Sequence, residues 1–110
     1  MTSTPFPYDG PDALLEPIAK ALRRVVDPEV SINVVDLGLI YQVSVADNKV
    51  HARVTMTSAA CPVTDLIIEE IENELDRDLP PDMLIQVELV WEPPWSEERL
   101  SERARRFMDR

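Results

Sequence analysis

The chain has 110 residues, of which 45% are apolar and 29% charged, the size and composition of one globular domain, which hides roughly 65% of its unfolded surface on folding. Eleven Lys plus Arg against 21 Asp plus Glu leave a net charge of -10, which repels a phosphate backbone and argues against nucleic-acid binding. The single cysteine excludes an internal disulfide, no run reaches the ~20 apolar residues of a membrane span, and the N-terminus lacks a leader's basic start and apolar stretch, so a cytoplasmic protein with no membrane partner is expected.

Residues 1–11 contain Pro5, Pro7 and Pro11 and read as an irregular lead-in, because proline supplies no backbone donor. From Asp12 to Val26, the residues Leu14, Leu15, Ile18, Leu22, Val25 and Val26 fall on one helical face and predict the first helix. Pro17 would remove a hydrogen bond inside it, leaving open either a regular start nearer Glu16 or a kink. Asp27-Pro28 stops this helix, since a residue before proline is pushed out of the helical region, and a loop follows to about Asn33. Leu37, Leu39, Tyr41, Val43 and Val45 then alternate with polar residues, Asp47-Asn48 offers a tight turn, and Val50, Ala52, Val54 and Met56 alternate again. This pattern predicts an antiparallel hairpin.

The segment from Ser58 to Pro62 ends the second strand, and Leu66, Ile67, Ile68, Ile71 and Leu75 return to helical spacing between Val63 and Leu75. Pro62 suits the first helical position, which puts Cys61 at or beside the N-cap. A proline-containing turn from Asp78 to Asp82 leads to a third strand bearing Ile85, Val87, Leu89 and Trp91. Pro93-Pro94 ends that strand, and Ser96 can cap a last helix with Glu97 and Glu98 in its first turn and arginines at its end. Between Glu97 and Arg110 five arginines face four acids. Such a tail can dock on an acidic surface, its own body's or a partner's, or present a solvated face. The order α-β-β-α-β-α predicts a two-layer α+β domain, a small mixed sheet with helices on one face. The expected division is a domain over 12–95 and an Arg-rich C-terminal helix over 96–110, with no internal repeat.

Cys61 is the residue best suited to chemistry, because the N–H groups at a helix start favour an anion and lower a thiol pKa. Inert packing is the competing account of a lone cysteine. His51, the sole histidine, sits in the second strand about ten residues before Cys61, towards the hairpin end, and is a poor base for that thiol. No enzyme activity is therefore expected, and one Cys plus one His cannot close a structural zinc site. Asp27 and Glu29 around Pro28, Asp36 before Leu37 and Asp65 after Cys61 stand at special positions, although turns and helix termini use aspartate in the same way. Gly38 within a strand pattern marks a bulge or a close backbone approach. Trp91-Glu92-Pro93-Pro94-Trp95 is either a core plug or a docking surface for a partner.

Four blocks carry a resemblance: Asp27-Pro28-Glu29; Ile32 to Tyr41, which reads INVVDLGLIY; Thr55-Met56-Thr57 leading to Cys61-Pro62; and Val90 to Trp95, which reads VWEPPW. In this order they resemble the small iron-sulfur assembly proteins that include SufT and the PaaD-like proteins, over about Leu14 to Ala104. The chain lacks the additional cysteine-rich C-terminal segment of PaaD, which favours the SufT-like side. The resemblance implies an α+β domain like the C-terminal scaffold domain of NifU and a role in maturing iron-sulfur proteins. Cys61 would be the reactive or cluster-binding residue, supported by Asp27, Glu29, Asp36, Gly38, Thr57, Pro62 and Asp65, with Trp91, Pro93, Pro94 and Trp95 docking partners. Since clusters usually take about four cysteine-type ligands, no stably bound cofactor is expected. A labile cluster or iron would be held by Cys61 only transiently, across a homodimer or with a partner drawn from the assembly machinery or the client apo-proteins. An adaptor with transient use of Cys61 is the favoured mechanism, and an accessory role in a multicomponent oxygenase pathway of phenylacetate degradation is the alternative.

Overall fold

A computed structural model describes residues 5–28, 30–56 and 64–108. Its main sheet contains β1 (Tyr8–Asp9), β4 (Ile40–Ala46), β5 (Lys49–Val54) and β6 (Leu84–Leu89), in the spatial order β1-β4-β5-β6. Strands β4 and β5 are antiparallel, whereas β1 runs parallel to β4 and β6 parallel to β5. Helix α1 (Asp12–Arg23) lies between β1 and β4 in the chain, and α2 (Thr64–Asp78) forms the crossover from β5 to β6. A separate two-stranded ribbon pairs β2 (Val26–Asp27) with β3 (Ile32–Asn33). The expected mixed sheet with helices is thus the architecture of the chain.

The β4–β5 hairpin turns at Asp47 and Asn48, with φ of 52° and 62°, the left-handed pair that matches the twist of the flanking strands. Register then sorts the side chains. Val43, Val45, Val50, Ala52 and Val54 face the core, and in β6 Ile85, Val87 and Leu89 sit opposite Val50, Ala52 and Val54. Ile18 and Leu22 of α1 and Ile67, Ile71 and Leu75 of α2 fill the same core, each full burial stabilising by about 1.5–3 kcal/mol. Gln42, Ser44, His51, Arg53, Gln86 and Glu88 take the alternate register positions on the other face. Across the two helices, Arg24 Nε donates to Glu74 Oε1 at 2.6 Å and its Nη2 meets Asp78 Oδ2 at 2.8 Å. These bonds to Glu74 and Asp78 raise the guanidinium pKa further.

Several boundaries differ from the sequence pattern. The lead-in is not irregular throughout: Phe6 is buried, and Pro7 offers its carbonyl to the Val43 N–H at 2.9 Å. An edge strand needs backbone bonds on one side only, which proline permits. Helix α1 starts at Asp12 with Pro17 inside it, the burial of Ile18, Ala21 and Leu22 outweighing a lost bond that costs about 3 kcal/mol. It ends at Arg23, before the Asp27-Pro28 stop, and Val26 becomes part of the ribbon rather than the helix. Leu37 and Leu39 precede β4 instead of starting it. The last helix also divides, into a 3-10 turn (Glu97–Arg99) and α3 (Glu102–Met108). Its cap is Ser101, whose Oγ accepts the Ala104 N–H at 3.1 Å, not Ser96. Leu100 and Ala104 are buried, whereas Arg103, Arg105 and Arg106 are exposed, so this segment packs on its own body through its apolar side and presents its arginines to solvent.

Candidate functional site

The turn before β4 is built as one closed helical turn. Asn33 Oδ1 accepts the Asp36 N–H at 2.9 Å, and Asn33 Nδ2 donates back to Asp36 Oδ2 at 2.8 Å, a reciprocal arrangement of the capping-box kind. At the other end the Gly38 N–H bonds the Val35 carbonyl at 3.0 Å and the Leu39 N–H bonds the Val34 carbonyl at 3.1 Å. This is the paired closure of a Schellman motif, with Gly38 as its left-handed residue at φ 75°. Val34 and Leu39, the hydrophobic pair expected of that motif, are both fully buried.

Gly38 also permits the close approach expected of it. A Cβ there would lie 2.2 Å from the Arg99 carbonyl oxygen and 2.6 Å from Arg99 Cβ. The Ser101 N–H donates to the Asp36 carbonyl at 2.8 Å, so both Asp36 and Gly38 hold the C-terminal segment against this turn. Trp95 Nε1 donates to the Leu37 carbonyl at 2.7 Å, and Tyr41 Oη donates to the Pro93 carbonyl at 2.7 Å. The Arg99 guanidinium stands 4.3 Å from the Tyr41 ring centroid, within the range of a cation–π contact.

Trp95 therefore plugs the domain, whereas Trp91 is 42% exposed and Pro93 and Pro94 are exposed as well. The core-plug alternative thus holds for Trp95, and Trp91 lies at the surface. Asp27 is buried, and its carbonyl receives the Ser31 N–H at 2.8 Å, which serves the turn of the β2–β3 ribbon. Asp65 lies exposed in the first turn of α2, where its charge complements the helix dipole. Cys61, Glu29, Thr57 and Pro62 lie outside the described residues.

In the chain, residues 57–63 follow the exit of β5 and precede α2, which starts at Thr64. At the exit of β5 the Thr55 N–H bonds the Leu39 carbonyl at 2.9 Å, and the Val54 carbonyl accepts the Val90 N–H at 2.7 Å. Thr55 and Met56 are buried, and Thr55 Oγ1 finds no hydrogen-bond partner among the described residues. His51 Nε2 lies 2.8 Å from Glu88 Oε1 on the polar face of the sheet, as expected for a surface histidine. Among the described residues, no three His, Cys, Asp or Glu side chains form a group able to hold a metal ion.

Asn33, Tyr41, Arg99 and Ser101, which fix this turn and the C-terminal segment, are absent from the sequence-derived site. The Asn33-to-Asp36 spacing could have revealed the first. The others act across 52 or more residues and leave no local pattern: Tyr41 reaches Pro93, and Arg99 and Ser101 reach the Asp36–Gly38 turn.

The chain is 40% identical over 95 residues to the Fe-S protein maturation auxiliary factor YitW of Bacillus subtilis, covering 86% of this chain and 92% of that one. It is 38% identical over 82 residues to the Fe-S protein maturation auxiliary factor SufT of Staphylococcus aureus, covering 74% and 92% respectively. The crystal structure of a DUF59 domain of unknown function from Bacillus anthracis superposes with a TM-score of 0.82 at 34% identity, covering 89% of this chain and 93% of that one. Residues 15–89 match the family described as iron-sulfur cluster assembly protein, and the chain belongs to that family.

Proposed function

We propose that this chain is an iron-sulfur protein maturation factor that works as an adaptor, bringing assembly machinery and client apo-proteins together and using Cys61 transiently. The observation that carries the maturation role is the similarity along most of both chains to proteins named Fe-S protein maturation auxiliary factors. The cluster is cargo in this reading. A thiolate beside the start of α2 would be stabilised by the helix N-H groups and would serve as a soft ligand or acceptor, while the chain contributes one thiol in total. Outside thiols, from a partner or from a second copy, would have to complete any cluster shell. The protein supplies no stably bound cofactor and catalyses no turnover reaction of its own.

The test is a transfer assay. The purified chain is incubated anaerobically with iron, sulfide and a small thiol, then mixed with an apo-enzyme whose activity requires a cluster. Faster activation with wild type than with Cys61→Ser supports transient use of the thiol. Equal acceleration by both makes the protein an adaptor that never touches the cargo, and Cys61 a packing residue. Stable, stoichiometric cluster uptake by a Cys61-dependent dimer would replace the adaptor with a bridging scaffold.

A further inference from the structure

Between the end of α1, the β2–β3 ribbon and α3 lies an open cleft of about 460 Å³. Its composition runs against that of the molecule. The chain carries a net charge of -10, yet Arg23, Arg103 and Arg106 line this one cleft. Arg106 is held by Glu102 at 2.9 Å, and the single carboxylate on the lining, Asp36, is engaged by Asn33. Arg23 and Arg103, presented from the last turn of α1 and from α3, are exposed and form no ion pair among the described residues. Val26, at 42% exposure, supplies apolar surface in the same cleft, with the buried Ile32 behind it.

From these observations we infer that the cleft binds an acidic peptide segment of a partner protein, one with an apolar side chain flanked by carboxylates. Guanidinium groups pair with carboxylates in a planar, two-pronged geometry. The apolar side chain would cover the exposed Val26, a contact that a bare phosphate cannot make. A nucleic acid would meet the same arginines but also the field of an acidic body. Arginine is enriched where protein partners bind tightly, and complementary charge sets specificity and encounter rate more than area does. The inference rests on the adaptor reading for the existence of a partner, and it involves no cluster chemistry.

Fluorescence anisotropy with a fluorescein-labelled Asp-Glu-Leu-Asp-Glu peptide tests it directly. The expected result is saturable binding that weakens at least about tenfold in Arg23→Glu/Arg103→Glu. Arg53→Glu/Arg77→Glu, with the same change of net charge at exposed sites outside the cleft, should stay within about twofold of wild type. Replacing the peptide's Leu by Ser should also weaken binding. Circular dichroism and melting temperature confirm that each variant folds. Absence of binding, equal loss in both double variants, indifference to the Leu-to-Ser change, or displacement by inorganic phosphate or an oligonucleotide at equal charge concentration would each overturn the inference. Peptide binding is read on the isolated protein, so its failure leaves the cluster-transfer result unaffected, and the reverse also holds.

Discussion

Gly38→Ala should be among the most damaging single-atom additions to this chain. The new Cβ would sit 2.2 Å from the Arg99 carbonyl oxygen, 2.6 Å from Arg99 Cβ and 2.8 Å from the Arg99 carbonyl carbon. All three atoms are backbone or anchored close to it, so rotating a flexible side chain cannot relieve the overlap. Alanine would in addition hold a φ of 75°, which costs about 1–2 kcal/mol. Pushing packed backbone aside adds about 1–3 kcal/mol, for a total of about 2–5 kcal/mol against the 5–15 kcal/mol typical of a folded domain. At about 4–8 °C per kcal/mol for a small domain, the melting temperature should fall by at least about 8 °C. Urea unfolding followed by tryptophan fluorescence and by circular dichroism measures the loss. Gly38→Asn separates the two causes, because asparagine tolerates the left-handed region but still carries a Cβ. It should recover no more than about 1 kcal/mol. A loss below about 1 kcal/mol in Gly38→Ala would refute the close approach of the Arg99 segment, and full recovery in Gly38→Asn would reduce the effect to local strain.

The two tryptophans should respond unequally. Trp95→Phe removes the hydrogen bond to the Leu37 carbonyl and should cost about 1–3 kcal/mol by denaturant titration, while Trp91→Ser at the exposed site should change stability by no more than about 0.5 kcal/mol; equal losses would contradict the assignment of Trp95 as the plug. Burial, followed by the charges of Asp12 and Asp9, raises the Tyr8 phenol above its ordinary value of 10.0. Its neutral form is therefore favoured in the folded chain, so its stabilising contribution is complete below the unfolded pKa and is lost as pH rises through the folded one. In a Tyr41→Phe background, an ultraviolet titration should place the remaining folded-state midpoint above 10.0, and a midpoint at or below it would contradict the environment described. Arg24→Ala should lower the melting temperature by loosening α1 from Glu74 and Asp78 on α2, with the difference shrinking as salt is added; a salt-independent loss would point to packing instead.

The hairpin and α2 were readable because their signals are local. Alternation runs through Val43, Val45, Val50, Ala52 and Val54, and Ile67, Ile71 and Leu75 share one helical face. Strand β1 was not readable, since two residues among prolines carry no periodicity and depend on a partner at Val43 and Ser44. The alternating Leu37 and Leu39 imitated strand pattern, but the Asn33–Asp36 exchange and the left-handed Gly38 turn the backbone there. At the site, the approach expected for Gly38 was legible, yet its partner Arg99 was not. Long-range docking of this kind pairs residues by shape, and shape at 61 residues' separation leaves no spacing to read.

A maturation role is measured in cells. Aconitase activity per unit of aconitase protein is compared in cells lacking the gene and in the same cells supplied with wild type or with Cys61→Ser at matched abundance. Deletion should reduce the activity, wild type should restore it, and Cys61→Ser should restore it incompletely. Restoration by both would keep the maturation role and remove the thiol from it. Unchanged activity on deletion would contradict general maturation and leave a role confined to one pathway.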